Sequence, residues 1–256
     1  MPVPTPAPAP TPGTVSGVLL PADPVHVVVV LPDHRPADPT NISSAISPHV
    51  RSCYEPFPLY PLRGTRSWRP RRQQFPDVWH VLRRPDGVPV AAGGRRARLD
   101  LQALTATVTW QARQRWHAWN THVAAGTPRA RDWESFQTPR PERSRTSQPM
   151  SLDEARQRFE AQPRVLTMLA VNAQHLLPFP LDPYELAAFQ AGERVYCTLA
   201  AHQAVVGQML VLPHGPVHRP VTPALADRLR YLQAALDVVH RLHPDVHLAA
   251  LLRTPT

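Results

Sequence analysis

The sequence predicts an α+β protein. Three observations carry that expectation: a β-branched run over His26–Leu31, a turn signature between apolar segments at residues 84–88, and an apolar stripe at helical spacing over residues 101–123. Strand, hairpin and helix signals thus all fall in the first half of the chain. The second half, with helix caps set between short apolar runs, repeats the mixture.

Residues 1–13 alternate proline with small residues (Pro2, Pro4, Pro6, Pro8, Pro10, Pro12). Such a run favours polyproline II and offers no side chains for a core, so a disordered proline-rich tail is expected. His26–Leu31 reads as a buried strand ended by Pro32. From Pro32 to Pro61 prolines recur so often that neither a helix nor a central strand is expected to persist. Residues 79–88 contain Arg84-Pro85-Asp86-Gly87-Val88, in which proline presets φ and glycine supplies a positive φ, so a β-hairpin is expected. Gly93-Gly94 is then expected to break the chain.

Leu101, Leu104, Val108, Ala112, Trp116, Trp119 and Val123 recur every three or four residues and predict a long helix stopped at Gly126. A strand over residues 103–110, rich in threonine and valine, competes with it, and the helix is preferred. Residues 14–126 therefore form one basic, aromatic region. Residues 127–150 have the composition of a linker, and residues 151–256 are expected to form a compact α+β domain. In that domain Ser151 with Glu154, and Asp182-Pro183 with Glu185, mark helix starts. Residues 165–171 are expected to be a strand, 194–201 and 205–212 two paired strands, the stretch after Thr222-Pro223 a helix through Leu225, Leu229, Leu232, Leu236 and Val239, and 246–252 a final strand.

Charge is the most informative feature for function. All 28 basic residues are arginine, against 19 acids. Eighteen arginines and seven acids lie between residues 51 and 145, with all six tryptophans. A coding sequence rich in G and C explains arginine in place of lysine, but not the clustering. Guanidinium groups fit phosphate bidentately and stack on bases, and indoles stack on unpaired bases. The candidate nucleic-acid-binding residues are Arg63, Arg66, Trp68, Arg69, Arg71 and Arg72 in one cluster. Arg83, Arg84, Arg95, Arg96 and Arg98 form a second, which the hairpin is expected to gather, and Arg113 and Arg115 a third on the long helix. Trp116 and Trp119 lie on the apolar stripe and are expected in the core. The partner expected is DNA or RNA, single-stranded or structured, since no helix-turn-helix or zinc-finger pattern is present. Self-association or a protein partner through residues 151–256 is left open.

Without lysine, Walker-type phosphate binding and Schiff-base chemistry are excluded. No cofactor is expected. His214, His218, His240, His243 and His247 have spacings a zinc ion accepts, but no carboxylate or cysteine completes a pattern. Residues 25–46, with Asp33, Asp38 and Asn41 after a strand, faintly resemble the metal-binding stretch of RusA-type Holliday-junction resolvases. That resemblance would imply a metal-dependent nuclease, but Thr40 replaces its second carboxylate and its downstream lysine has no counterpart, so it is not adopted. Cys53 and Cys197 suggest no disulfide framework. No signal-peptide or bilayer-spanning pattern is visible, so a soluble, cytoplasmic protein is expected. The preferred function is nucleic-acid binding without intrinsic catalysis. The alternatives are a metal-dependent enzyme acting on nucleic acid, at the C-terminal histidines or at Asp33 and Asp38, and an assembly protein whose basic region meets an acidic partner.

Overall fold

The computed structural model describes residues 25–32, 35–50, 52–63, 77–85, 87–137, 150–213 and 217–254. The proline-rich segment 1–13 lies outside them. The described strands are β1 (His26–Leu31), β2 (Tyr54–Pro56), β3 (Tyr60–Pro61), β4 (Val78–Arg83), β5 (Pro89–Arg95), β6 (Met209–Val211), β7 (Val217–His218) and β8 (His247–Arg253). The described α-helices are α1 (Pro39–Ile46), α2 (Leu101–His122), α3 (Glu134–Gln137), α4 (Leu152–Glu160), α5 (Pro163–Ala173), α6 (Leu186–Gln190), α7 (Glu193–Val206) and α8 (Leu225–Arg241). The fold is α+β.

All these strands join one sheet. β8 lies inside it, antiparallel to β1 from the pair His26–Leu252 to the pair Leu31–His247. Its other edge pairs with β5 at Ala249, Leu248 and His247, then with β2 at Leu251, Leu252 and Arg253. β1 continues to β6 in parallel, and β6 to the short β7. β5 also pairs with β3 and forms the expected hairpin with β4.

Alternation along the strands sorts side chains to two faces. Val28, Val30, Leu210, Leu248 and Ala250 face a helical layer that supplies Leu104, Trp119, Phe189, Leu199 and Leu232. Val27, Val29, Leu31, Met209, Ala249 and Leu251 face the other way, under Ile42 and Ile46 of α1. Burial on both faces explains why β1 is an unbroken apolar run. Each fully buried valine or leucine contributes roughly 1.5–3 kcal/mol. Strands from both sides of residues 127–150 share this sheet, and one core runs from Leu101 and Trp119 to Leu232 and Val239.

Several expected elements are corrected. A helix, α1, does form among the prolines: Asp38 caps it, Pro39 occupies its first turn, and no proline follows until Pro48. Gly93-Gly94 do not break the chain but lie within β5. A Cβ on Gly93 would stand 2.4 Å from the Leu248 carbonyl oxygen, so glycine lets β8 approach. Residues 165–171 are helical in α5, with Arg164, Val165, Met168 and Val171 inward. The two strands expected at 194–201 and 205–212 are instead the helix α7 followed by the three-residue β6. Part of the expected linker is also ordered. Trp133 is buried, with ring centroids 5.4 Å from Phe159 and 5.6 Å from Tyr184.

Buried Arg164 ties this layer together through neutral acceptors. Its guanidinium donates to Thr127 Oγ1 (3.0 Å), Gln190 Oε1 (2.9 Å) and the Thr127 carbonyl (2.6 Å), and lies 5.5 Å from the Trp119 ring centroid. Burial, with a smaller contribution from Arg129, lowers its pKa. Cys53 and Cys197 are both free thiols. Among the described residues no helix is long and apolar enough to cross a membrane.

His26, buried at the start of β1, makes stability depend on pH. Its Nε2 has no hydrogen-bond partner among the described residues, and burial lowers its pKa from 6.5 to about 4. Below pH 6.5 the unfolded chain takes up a proton that the folded chain refuses. Stability is therefore expected to fall between pH 6.5 and 4, by about 3 kcal/mol in all. Urea unfolding across this range should show the loss, and His26→Leu should remove most of it. Gly93→Ala should cost at least ~2 kcal/mol in the same assay at pH 7.5, because the backbone of β8 has to move.

Candidate nucleic-acid interface

β5 hands the chain to α2 through a tight turn, Arg96–Arg98, and that turn organises the basic end of the sheet. Asp100 caps α2 by accepting from the Ala103 amide at 2.9 Å. The turn is held from three sides by backbone hydrogen bonds. Arg96 and Ala97 donate to the carbonyls of Val246 (2.8 Å) and Pro244 (2.9 Å), ahead of β8. Arg63, just after β3, donates to the Arg98 carbonyl at 2.9 Å, and Arg95 donates to the Asp77 carbonyl at 3.0 Å. The Arg96 guanidinium donates to the His240 carbonyl at 3.1 Å, where α8 ends.

The side chains here differ in how far they are neutralised. Arg95 lies 3.4 Å from Asp77 and 3.6 Å from Asp245, in partly exposed pairs of small energy. Arg63, Arg96, Arg98 and Arg241 make no ion pair with a described residue. Residues 64–76, carrying Arg66, Trp68, Arg69, Arg71 and Arg72, lie outside the described residues. Their neighbours in the chain, Arg63 and Asp77, are both bonded to the Arg95–Arg98 stretch.

The remaining clusters are dispersed. The β4–β5 register sets Arg83 opposite Pro89 and Val78 opposite Gly94. Arg83 and Arg84 therefore stand at the turn of the hairpin and Arg95, Arg96 and Arg98 at its open end, roughly 17 Å away over five residues. The expected gathering of these five by the hairpin does not occur. On α2, Arg113 is held by Glu193, Nε to Oε1 at 2.8 Å, and Arg115 lies 5.4 Å from the Phe179 ring centroid. Trp119 is buried and stacked on Phe189 at 5.2 Å, and half-buried Trp116 donates Nε1–H to the Phe189 carbonyl at 3.0 Å.

The described histidines do not converge. His214 is outside the described residues. His218 on β7 and His247 on β8 are three strand spacings apart, about 14 Å. His243 lies 3.5 Å from Asp245 Oδ2 and stands exposed. Among the described residues no three His, Cys, Asp or Glu side chains form a group that would hold a metal ion. Asp33 is not described, and Asp38 is engaged at both oxygens by Asn41, Oδ1 with the amide at 2.9 Å and Oδ2 with Nδ2 at 2.7 Å.

Sequence reasoning missed a groove of about 590 Å³ between α2 and α7. Thr105, Thr109 and Arg113 line one wall, and Arg194, Thr198 and His202 the other. Trp110 follows Thr109 in the chain, is 62% exposed, and is not among the residues lining the groove. The signal was available: Trp110 is the one tryptophan of α2 that falls off the apolar stripe. The chain matches no protein-family profile, no curated protein and no solved structure.

A cap and a metal ligand respond differently to substitution at Asp38. Asp38→Ala should cost about 1 kcal/mol, and Asp38→Asn only a few tenths, because asparagine caps as well. Thermal melts with and without divalent cation check this; a metal-dependent loss in the asparagine variant would point to a ligand.

Proposed function

We propose that this protein binds nucleic acid through the basic end of its sheet, without a catalytic step of its own. One observation carries the reading. Arg63 and Asp77 flank a 13-residue segment with four arginines and no acid. Both are fastened to the turn that bears Arg95, Arg96 and Arg98. Both flanks of that segment are thereby held beside the second arginine cluster. Arg63, Arg96, Arg98 and Arg241 have no carboxylate partner among the described residues, so their charge is available to phosphate. Binding of this kind is electrostatic and releases counterions, which makes affinity fall steeply with salt.

A labelled oligonucleotide titrated at several salt concentrations tests the proposal. The wild-type log–log slope should be several units. Converting Arg63, Arg96 and Arg98 together to alanine should lower its magnitude by about 2–3, and converting Arg69, Arg71 and Arg72 should do the same. Arg158→Ala serves as control, since Arg158 is paired with Glu154 at 2.7 Å on α4. An equal slope in all four proteins would move the site elsewhere.

A protein partner is a second reading, favoured by the exposed leucines Leu166, Leu169 and Leu176 along and just beyond α5 (52%, 37% and 55%). A nuclease-resistant oligomer in light scattering, without excess absorbance at 260 nm, would support it over nucleic-acid binding.

A further inference from the structure

The groove between α2 and α7 offers more than the basic end alone. Glu193 is the acid on its wall, and its charge is spent within the protein: Oε1 lies 2.8 Å from Arg113 Nε and Oε2 3.5 Å from His117 Nε2. Arg194, the next residue of α7 on the same wall, is exposed and has no ion pair among the described residues. The hydroxyls of Thr109 and Thr198 have no hydrogen bond to a described residue, so they remain donors for a ligand. The deeper groups are neutral. Burial, reinforced by Glu193, pushes the Cys197 thiol up, and burial with His240 pushes the His202 imidazole down. A protonated thiol and an uncharged imidazole suit a binding surface better than a nucleophilic centre.

The groove also points the right way. Thr105, which lines one end of the groove, stands about one turn past Leu101, where α2 leaves the Arg96–Arg98 turn, so that end abuts the basic end. From there α2 carries Thr105, Thr109, Arg113 and His117 at successive fourth positions, a path of about 18 Å. Midway along it Trp110, the residue after Thr109, shares a face of α2 with Arg113 and His117, three and four residues apart.

We propose that the α2–α7 groove takes a single strand of nucleic acid, with phosphates on Arg194 and the Thr109 and Thr198 hydroxyls and a base stacked on Trp110. This rests on the reading that the basic end binds nucleic acid. An exposed indole has a use for a strand with unpaired bases and none for a duplex whose bases are already stacked. The strand enters from Arg96 and Arg98 and runs toward Trp110.

The test uses the full chain with three fluorescein-labelled probes: 15-nucleotide oligo-dT, oligo-rU of the same length, and a 15-base-pair duplex. Trp110→Ala should weaken binding of at least one single strand by about five- to hundredfold at unchanged salt slope, and leave the duplex within about twofold. Trp110→Phe should recover most of the loss. Arg194→Ala should make the single-strand slope shallower by about 0.7. Both side chains are exposed, and thermal melts confirm that the variants fold. Wild-type affinity for both strands in Trp110→Ala and Arg194→Ala would overturn the groove. If the Arg63, Arg96 and Arg98 variant still lost binding, the basic end would stand without it. Equal losses on strand and duplex in Trp110→Ala would overturn the single-strand assignment. No binding of any probe by the wild type would remove both readings.

Discussion

The pairing of β8 with β1 on one edge, and with β5 and β2 on the other, is the constraint on which the rest of the molecule depends. It closes the sheet between strands about 150 to 225 residues apart in sequence, and it joins the two faces of the core. It also places the basic end. The turn at Arg96–Arg98 is held by carbonyls of Pro244 and Val246, the residues that lead into β8. The close approach that Gly93 permits is therefore a condition for the site as well as for the sheet.

The parts of the fold legible in the sequence are those where local chemistry and tertiary packing agree. β1, the β4–β5 hairpin, α2, α4, α8 and β8 all follow from period, cap or turn residues. The parts misread are those where a continuous apolar run conceals its period. In α5, Leu166 and Leu169 are exposed while Val165, Met168 and Val171 are buried. The run over 165–171 therefore looks like a buried strand although its inward residues follow helical spacing. In α7, Val195, Tyr196, Cys197 and Thr198 favour strands locally. Contact with α2 on one side and α8 on the other overrides that preference. Around α1, proline density hid a helix that proline itself helps to start.

The candidate site was legible as composition but not as geometry. Arginine clustering marked residues 63–72 and 95–98, and the backbone brings the flanks of the first to the second. Sequence spacing could not reveal that Arg83 and Arg84 stand at the opposite end of the hairpin, because register rather than proximity in the chain decides it. Nor could it show that Glu193, eighty residues away, holds Arg113. Charge counted along a chain overstates the charge open to a partner wherever a distant carboxylate folds back. Trp110 is the converse case, an aromatic that reads as core material until the helical phase is followed.

The interior position of β8 has a consequence for synthesis. The flanks of its slot, β1 and β5, are complete by residue 95, yet the strand that fills it is not made until residues 247–253. At 5–20 residues per second a ribosome needs roughly ten to thirty seconds to cover that interval. Throughout it β1 and β5, which β8 separates in the finished sheet, lack their shared partner, and an unpaired strand edge is a template for pairing with another chain. A chain ending just before β8 would leave the facing edges of β1 and β5 open together, so completion of the sheet waits on the last strand to be made.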